Sequence, residues 1–300
     1  MKCIACSTRK PGYRLWILGL NFLVAAAALA DDSSDKYADG KPSPIQSKVR
    51  PFGLDIVGPV MRAGSDATAA DFQKNALPGI TAFVNATLPE SQALSDSASL
   101  LDPSKLSLKT AADVRVYFVG EGASYANTLG FNTTGAGVTS GDPQLIFPNA
   151  TSSASLTDGT SGRRNANNPL LPGDFVNLGQ MAAGTQLDFF LIADGANGGT
   201  KVYSTDSSAN PDGLNHAVAF AYAVPDSPYL IMGFEDLYGG GDQDFNDLVF
   251  AVDLGAANIA QLTGTPEPAL FLTLGTFGAG LWWIKRRRDG TGPTVAWANV

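Results

Sequence analysis

The stretch Tyr229–Leu254, YLIMGFEDLYGGGDQDFNDLVFAVDL, limits what this chain can fold into more than any other. An apolar run, Tyr229–Phe234, ends in the adjacent acids Glu235 and Asp236. The turn Leu237–Gly241 holds three consecutive glycines, and a second apolar run, Leu248–Val252, follows Asp242, Asp244, Asn246 and Asp247. Two short apolar runs joined by a glycine-rich connection predict a β-hairpin. Both faces of Leu248–Val252 are apolar, which predicts a central strand covered on both sides.

The bend collects five carboxylates and one amide. Two carboxylates ~4 Å apart repel by ~1 kcal/mol in water and ~4 kcal/mol near a protein surface. A hard cation replaces that repulsion with attraction, and calcium takes about six to eight oxygen ligands at ~2.3–2.6 Å. Glu235, Asp236, Asp242, Asp244, Asn246 and Asp247 are therefore the candidate metal ligands, with calcium the expected ion. Asp242, Asp244 and Asn246 rank first, because alternate spacing lets a tight loop turn three oxygens onto one point. That spacing matches the opening of an EF-hand loop, but Asp247 stands where such a loop needs Gly and the flanks alternate like strands. Asp253, at the twelfth position, lies ~20 Å further along the second strand. The alternative is an acidic turn whose side chains accept hydrogen bonds from their own backbone.

Charge supports a cation partner. The 300 residues carry 20 Lys and Arg against 28 Asp and Glu. Eight of the basic residues lie near the two ends, at Lys2, Arg9, Lys10, Arg14 and Lys285–Arg288. Setting these aside with Glu267 and Asp289 leaves 12 basic and 26 acidic residues, a net of −14. Phosphate binding rests on Lys and Arg, so nucleic acid is excluded as a partner. The two cysteines, Cys3 and Cys6, precede the first apolar run and offer neither a disulfide framework nor a thiolate metal site.

The chain divides by composition. Residues 1–30 run basic, apolar and then small, the pattern of a secretory signal peptide. A polar linker spans 31–48, and 49–105 forms the N-terminal part of the body. Asp66 or Ser65 is placed to cap a short helix through Ala76, and Pro78–Leu88 reads as another, ended by Pro89. Strand patterns then dominate: Val114–Val119, Gln186–Ile192, Lys201–Ser204, His216–Ala223 and the acidic hairpin. Gly135–Arg164 reads as long loops, and 255–265 as a second linker. Ala269–Ile284 is an apolar helix of transmembrane character, followed by Lys285–Arg288 and a cytoplasmic tail at 289–300. The fold class expected is all-β: an antiparallel β-sandwich of jelly-roll type with a few short helices, plus an N-terminal signal helix and a C-terminal membrane helix.

Two stretches resemble known families. Pro266-Glu267-Pro268, the apolar span and Arg286-Arg287-Arg288 resemble the PEP-CTERM sorting signal of Gram-negative bacteria, at 266–288. That resemblance implies processing by signal peptidase and an exosortase. It also implies an inner-membrane-anchored precursor, then delivery to the cell surface or the exopolysaccharide matrix. Gly233-Phe234-Glu235-Asp236-Leu237 with Asp242, Asp244-Phe245-Asn246-Asp247 and Leu248-Val249-Phe250 resembles the signature of domain-of-unknown-function family 4114. Tyr117–Ala123 and Asn127–Gly130 are similar to segments upstream in such proteins, so the resemblance extends over 106–254. It implies a β-domain of a secreted protein and no particular activity.

Other chemistry is sparse. His216, the one histidine, is expected to be a structural residue near a turn. No nucleophile elbow and no phosphate-cradling loop occur. Glu121 with Asp188, Asp194 or Glu235 would need a cleft to act as a glycosidase pair. Asp194–Gly199 and Asn210–Gly213 read as ordinary turns. The expected function is non-enzymatic: an exported, calcium-binding structural or adhesive protein. The runner-up is a calcium-dependent carbohydrate-binding module with exopolysaccharide as partner.

Overall fold

The computed structural model describes residues 47–94, 100–135, 141–157 and 160–264. The expected signal peptide, nearly all of the first linker, the sorting signal and the tail lie outside the described residues. Among the described residues, no helix is long and apolar enough to cross a membrane.

Among the described residues, ten strands form two antiparallel sheets. They are β1 (Leu100–Leu101), β2 (Ala112–Gly120), β3 (Thr128–Gly135), β4 (Gln144–Phe147), β5 (Phe175–Met181), β6 (Thr185–Ala193), β7 (Lys201–Ser204), β8 (Ala217–Ala221), β9 (Tyr229–Phe234) and β10 (Leu248–Asp253). One sheet has the order β1-β8-β9-β10-β2-β5 and the other β4-β3-β6-β7. This order establishes a mainly antiparallel β protein; the jelly-roll part of the expectation is not confirmed by it.

Side chains from both sheets share one core. Val116 and Phe118 of β2, Met232 and Phe234 of β9 and Phe250 and Val252 of β10 meet Leu129, Phe131, Leu187, Phe189 and Leu191 of the smaller sheet. Across this space Phe189 and Phe250 lie 5.3 Å apart, centroid to centroid. The opposite face of the larger sheet is buried too, against a helical segment. Asp66 accepts from the Ala69 amide at 2.8 Å and caps α1 (Ala67–Asp71). A π turn, Phe72–Ala76, leads into α2 (Leu77–Thr87). Phe72, Ile80, Val84 and Leu88 from this segment cover Tyr117, Phe220, Ile231, Val249 and Ala251. Alternate residues of β10 thus enter two different cores, which is why the strand is apolar on both faces. It lies between β9 and β2, with Phe250 opposite both Met232 and Phe118. At ~1.5–3 kcal/mol for each large apolar side chain buried, this two-sided packing anchors the acidic bend between β9 and β10.

The smaller sheet shows the single-sided alternation of a strand with one wet face. In β6 Leu187, Phe189 and Leu191 are buried while Gln186, Asp188 and Phe190 are half-exposed on the other side.

Residues 255–265, expected to be a linker, contain a helix, α3 (Ala256–Leu262). Ile259 joins the inter-sheet core. The buried Asn258 side chain accepts from Lys109 and Thr110 amides at 2.8 and 2.9 Å and donates to the Thr110 and Leu254 carbonyls. Four hydrogen bonds from one side chain outweigh the weak local signal of Ala and Gly residues. The stretch Gly135–Arg164, expected to be loop, contains β4, which pairs with β3.

Candidate metal centre

β9 and β10 run in register to Leu248 and Phe234, so the chain leaves the sheet at Glu235 and returns at Asp247. That fixes Glu235, Asp236 and Asp247 at the sheet end, and one carboxylate oxygen from each lies within 4.8 Å of the others. Two ligands at ~2.4 Å from a shared ion can stand no more than ~4.8 Å apart, so this separation suits a calcium-sized ion. Glu235 is 1 % exposed and Asp236 4 %.

Neighbours hold these groups in place. The Asp236 carboxylate accepts from Asn127 Nδ2 at 2.7 Å, and the Asp236 amide donates to Asp247 Oδ2 at 2.8 Å. Asn127 Oδ1 accepts from the Asp194 amide at 3.0 Å. This ties the β2–β3 and β6–β7 loops to the bend. One oxygen is left over: Glu235 Oε2 is buried with no hydrogen-bond partner. Leaving a buried polar group unsatisfied costs about 1–3 kcal/mol, more for a charged one.

Electrostatics agree with that shortage. Burial pushes the Glu235 carboxyl up to about 7, and the negative charges of Asp242, Asp244 and Asp236 add to it. Burial, then Asp236, pushes Asp247 up to about 9. Burial raises Asp236 as well, helped by Asp194 and Asp242. The charges that raise the three are acids, and a side-chain hydrogen bond between Glu235 and Asp247 links two of them.

The remaining candidates lie in a second cluster. Asp242 and Asp244 bring carboxylate oxygens within 4.8 Å of one another and of Glu90. Glu90 follows α2 and was not expected at the site. Asp242 and Glu90 are exposed, whereas Asp244 is buried and engaged. Asp244 accepts from the Ser91 amide at 2.7 Å, the Asn246 amide at 3.1 Å and Asn246 Nδ2 at 3.0 Å. Asn246 Nδ2 also donates to the Leu88 carbonyl. Of the three residues ranked first, Asp242 and Asp244 bring carboxylate oxygens together beside Glu90, and Asn246 bonds to Asp244 through Nδ2. Asp244 and Asn246 clasp the end of α2 to the bend, as the Asx-turn alternative anticipates in kind, while Glu235, Asp236 and Asp247 converge. Five of the six expected ligands divide between the two clusters, and Asn246 bonds to Asp244 of the second.

The bend needs its glycines. Gly239, Gly240 and Gly241 have φ of 86°, 85° and 46°, the left-handed region that glycine enters without cost. His216 is fully buried, stacked on Tyr203 with ring centroids 3.8 Å apart. Its Nδ1 lies 3.1 Å from the Glu235 carbonyl and its Nε2 2.9 Å from Asp212 Oδ2, which in turn accepts from the Gly239 amide at 2.8 Å. The histidine thus braces both ends of the Glu235–Gly239 segment. Glu121 lies beside the bend: it accepts from the Ser152 amide at 3.1 Å, and burial, with the negative charge of Asp236 adding to it, pushes its carboxyl up to about 7.

Fold and site together define an antiparallel two-sheet β protein whose central hairpin carries acidic clusters able to hold a metal ion. Residues 181–255 match the family model described as Domain of unknown function (DUF4114). The match begins at the end of β5 and takes in β6–β10 with the whole acidic bend. It is shorter than the 106–254 expected from the sequence. No curated protein and no solved structure matches the chain.

Proposed function

We propose that this is an exported, calcium-binding β protein with a structural or adhesive role, in which Glu235, Asp236 and Asp247 hold the ion. The buried, partnerless Glu235 Oε2 carries this reading. It belongs to a set of hard oxygen donors within 4.8 Å of one another, and an oxygen-only donor set favours calcium over softer ions. Glu90, Asp242 and Asp244 form a second acidic set that adds to the local field. Support for export comes from the basic, apolar and small residues of 1–30. The Pro-Glu-Pro, apolar and Arg pattern of 266–288 supports sorting to the surface or matrix of a Gram-negative cell through an exosortase. A body of 12 basic against 26 acidic residues suits a setting where millimolar calcium is available.

Extracellular calcium modules bind at ~10⁻⁴–10⁻³ M. Calcium at tenfold excess over Kd adds ~1.4 kcal/mol to stability. Thermal melting of the purified protein in calcium and in chelator tests this. Calcium is expected to raise the Tm of the wild type, and Asp236→Asn or Asp247→Asn to remove the rise. Asp244→Ala is a poorer probe, because it also breaks the clasp to α2. Identical wild-type curves in calcium and chelator would overturn the assignment.

A further inference from the structure

Away from the acidic bend, the outer face of the smaller sheet carries a groove of about 540 Å³, in the size class of small-ligand sites. Phe52, Phe190, Asn132, Asp188, Ser204 and Asp206 line it. Three features set it apart from ordinary surface.

The first is Phe52. Its amide follows Pro51 in a turn closed by the Gly53 amide donating to the Arg50 carbonyl at 2.9 Å. The third residue of such a turn has φ 55° and ψ 14°, and it is a phenylalanine. Positive φ at that position calls for Gly or Asn, and a bulky side chain there costs of order 1–3 kcal/mol. The ring gains little burial in return, since it is 60 % exposed. A strained, exposed aromatic at a groove rim is unexplained by folding.

The second is Phe190. It stands opposite Gly130 on β3, and a Cβ at Gly130 would collide with the Phe190 ring. The ring therefore lies over the neighbouring strand, as a platform on the groove floor. The third is a surplus of acceptors. Asn132 Oδ1 is buried with no partner. The Asp188 carboxylate has one long hydrogen bond, from Gln186 Nε2 at 3.3 Å. Asp206 caps the turn at Ser208 through one oxygen. Among the described residues, no Lys or Arg lines the groove.

We infer that this groove binds an uncharged saccharide chain, with Phe52 and Phe190 stacking on sugar rings and Asp188 and Asp206 accepting from their hydroxyls. The C–H faces of a pyranose carry partial positive charge and meet the negative face of an aromatic ring. Its hydroxyls donate in several directions, which suits acceptors spread around the platform. An acidic polysaccharide is disfavoured by Asp188 and Asp206 and by the absence of a lining cation. The site uses other residues than the acidic bend and needs no calcium ligand.

The test is calorimetric titration of the purified protein with cellohexaose, laminarihexaose, xylohexaose and mannohexaose, each with calcium and with chelator, and with tetralysine as the cationic comparison. At least one saccharide is expected to bind saturably. Phe52→Gly is expected to weaken it about tenfold while melting at or above the wild-type temperature, because the strain is relieved. Asp188→Asn should weaken binding without lowering the Tm. Failure of all four saccharides, binding of tetralysine alone, or saccharide binding unchanged by Phe52→Gly would each overturn the inference. Saccharide binding that persists in a protein indifferent to calcium would support this site and count only against the metal reading.

Discussion

Gly241 stands directly behind the carboxylate of Glu235: a Cβ at residue 241 would collide with Glu235 Oε1. The glycine also has φ 46°, so two independent constraints act at one residue. Gly241→Ala is expected to destabilise the protein by about 1–3 kcal/mol through backbone strain and the displaced carboxylate. The same change should blunt the calcium-induced rise in Tm. Urea unfolding with and without calcium measures both effects. A fully stable variant with an intact calcium response would show that Glu235 does not need its present place.

The acidic bend fixes a pH dependence. Burial holds Glu235 and Asp247 at about 7 and about 9 in the folded chain, against ordinary values of 4.5 and 3.8. Between these limits the folded form keeps protons that the unfolded form has lost, so stability falls as pH rises. In chelator, the Tm contribution of this pair is greatest near and below pH ~4 and declines toward pH ~9. Calcium, which favours the ionised forms, should reverse the decline. Asp247→Asn should flatten the slope in chelator; an unchanged slope would remove the bend as its cause.

Arg164 and Asp174 form a buried, two-pronged ion pair, with Arg164 Nη2 donating to Asp174 Oδ1 at 2.9 Å. Asp174 also accepts from the Ala63 and Leu171 amides, which ties the β4–β5 connection to the segment before α1. Arg164→Met would leave a buried carboxylate without its counter-charge and should cost about 3–5 kcal/mol. The double change with Asp174→Asn should cost less than the sum of the two singles, which a double-mutant cycle in urea would read.

Asn258→Ala tests whether α3 belongs to the folded body. It strands the Lys109 and Thr110 amides and the Thr110 carbonyl. It removes all four hydrogen bonds of the buried Asn258 side chain, each contributing about 0.5–1.5 kcal/mol net, so a loss of at least about 2 kcal/mol is expected. A loss near zero in urea unfolding would return 255–265 to the status of a tether.

The parts legible in the sequence were those with local cause. β6, β9 and β10 follow from runs rich in Val, Ile, Leu and Phe between turn residues, and β7 from Val202 and Tyr203 between polar neighbours. Asp66 announced its helix by capping chemistry, and Pro78 marked the start of the next. What escaped depends on distant partners. β3 mixes Gly130, Asn132 and Thr133, and becomes a strand because β6 lies beside it along eight paired positions. β5 carries Gly179 at φ 89° and exposed polar residues, and its place is set by pairing with β2. At the site, the crowding of acids was visible but its partition was not. Asn246 turns its amide nitrogen to Asp244 and to Leu88. Glu90 reaches the bend only because Ser91 and Leu94 are tied to Asp244 and Gln243. No short-range spacing encodes either.

β2 fills the gap between β10 and β5, and α2 seals the far side of β8, β9 and β10, yet both precede residue 181. A fragment cut to the family match would therefore begin with the edge of β10 unzipped and with Phe220, Ile231, Val249 and Ala251 open to water. Such a fragment would be sticky and prone to pair with copies of itself. The stretch that the family model matches and the stretch that closes the two cores are, in this chain, different lengths.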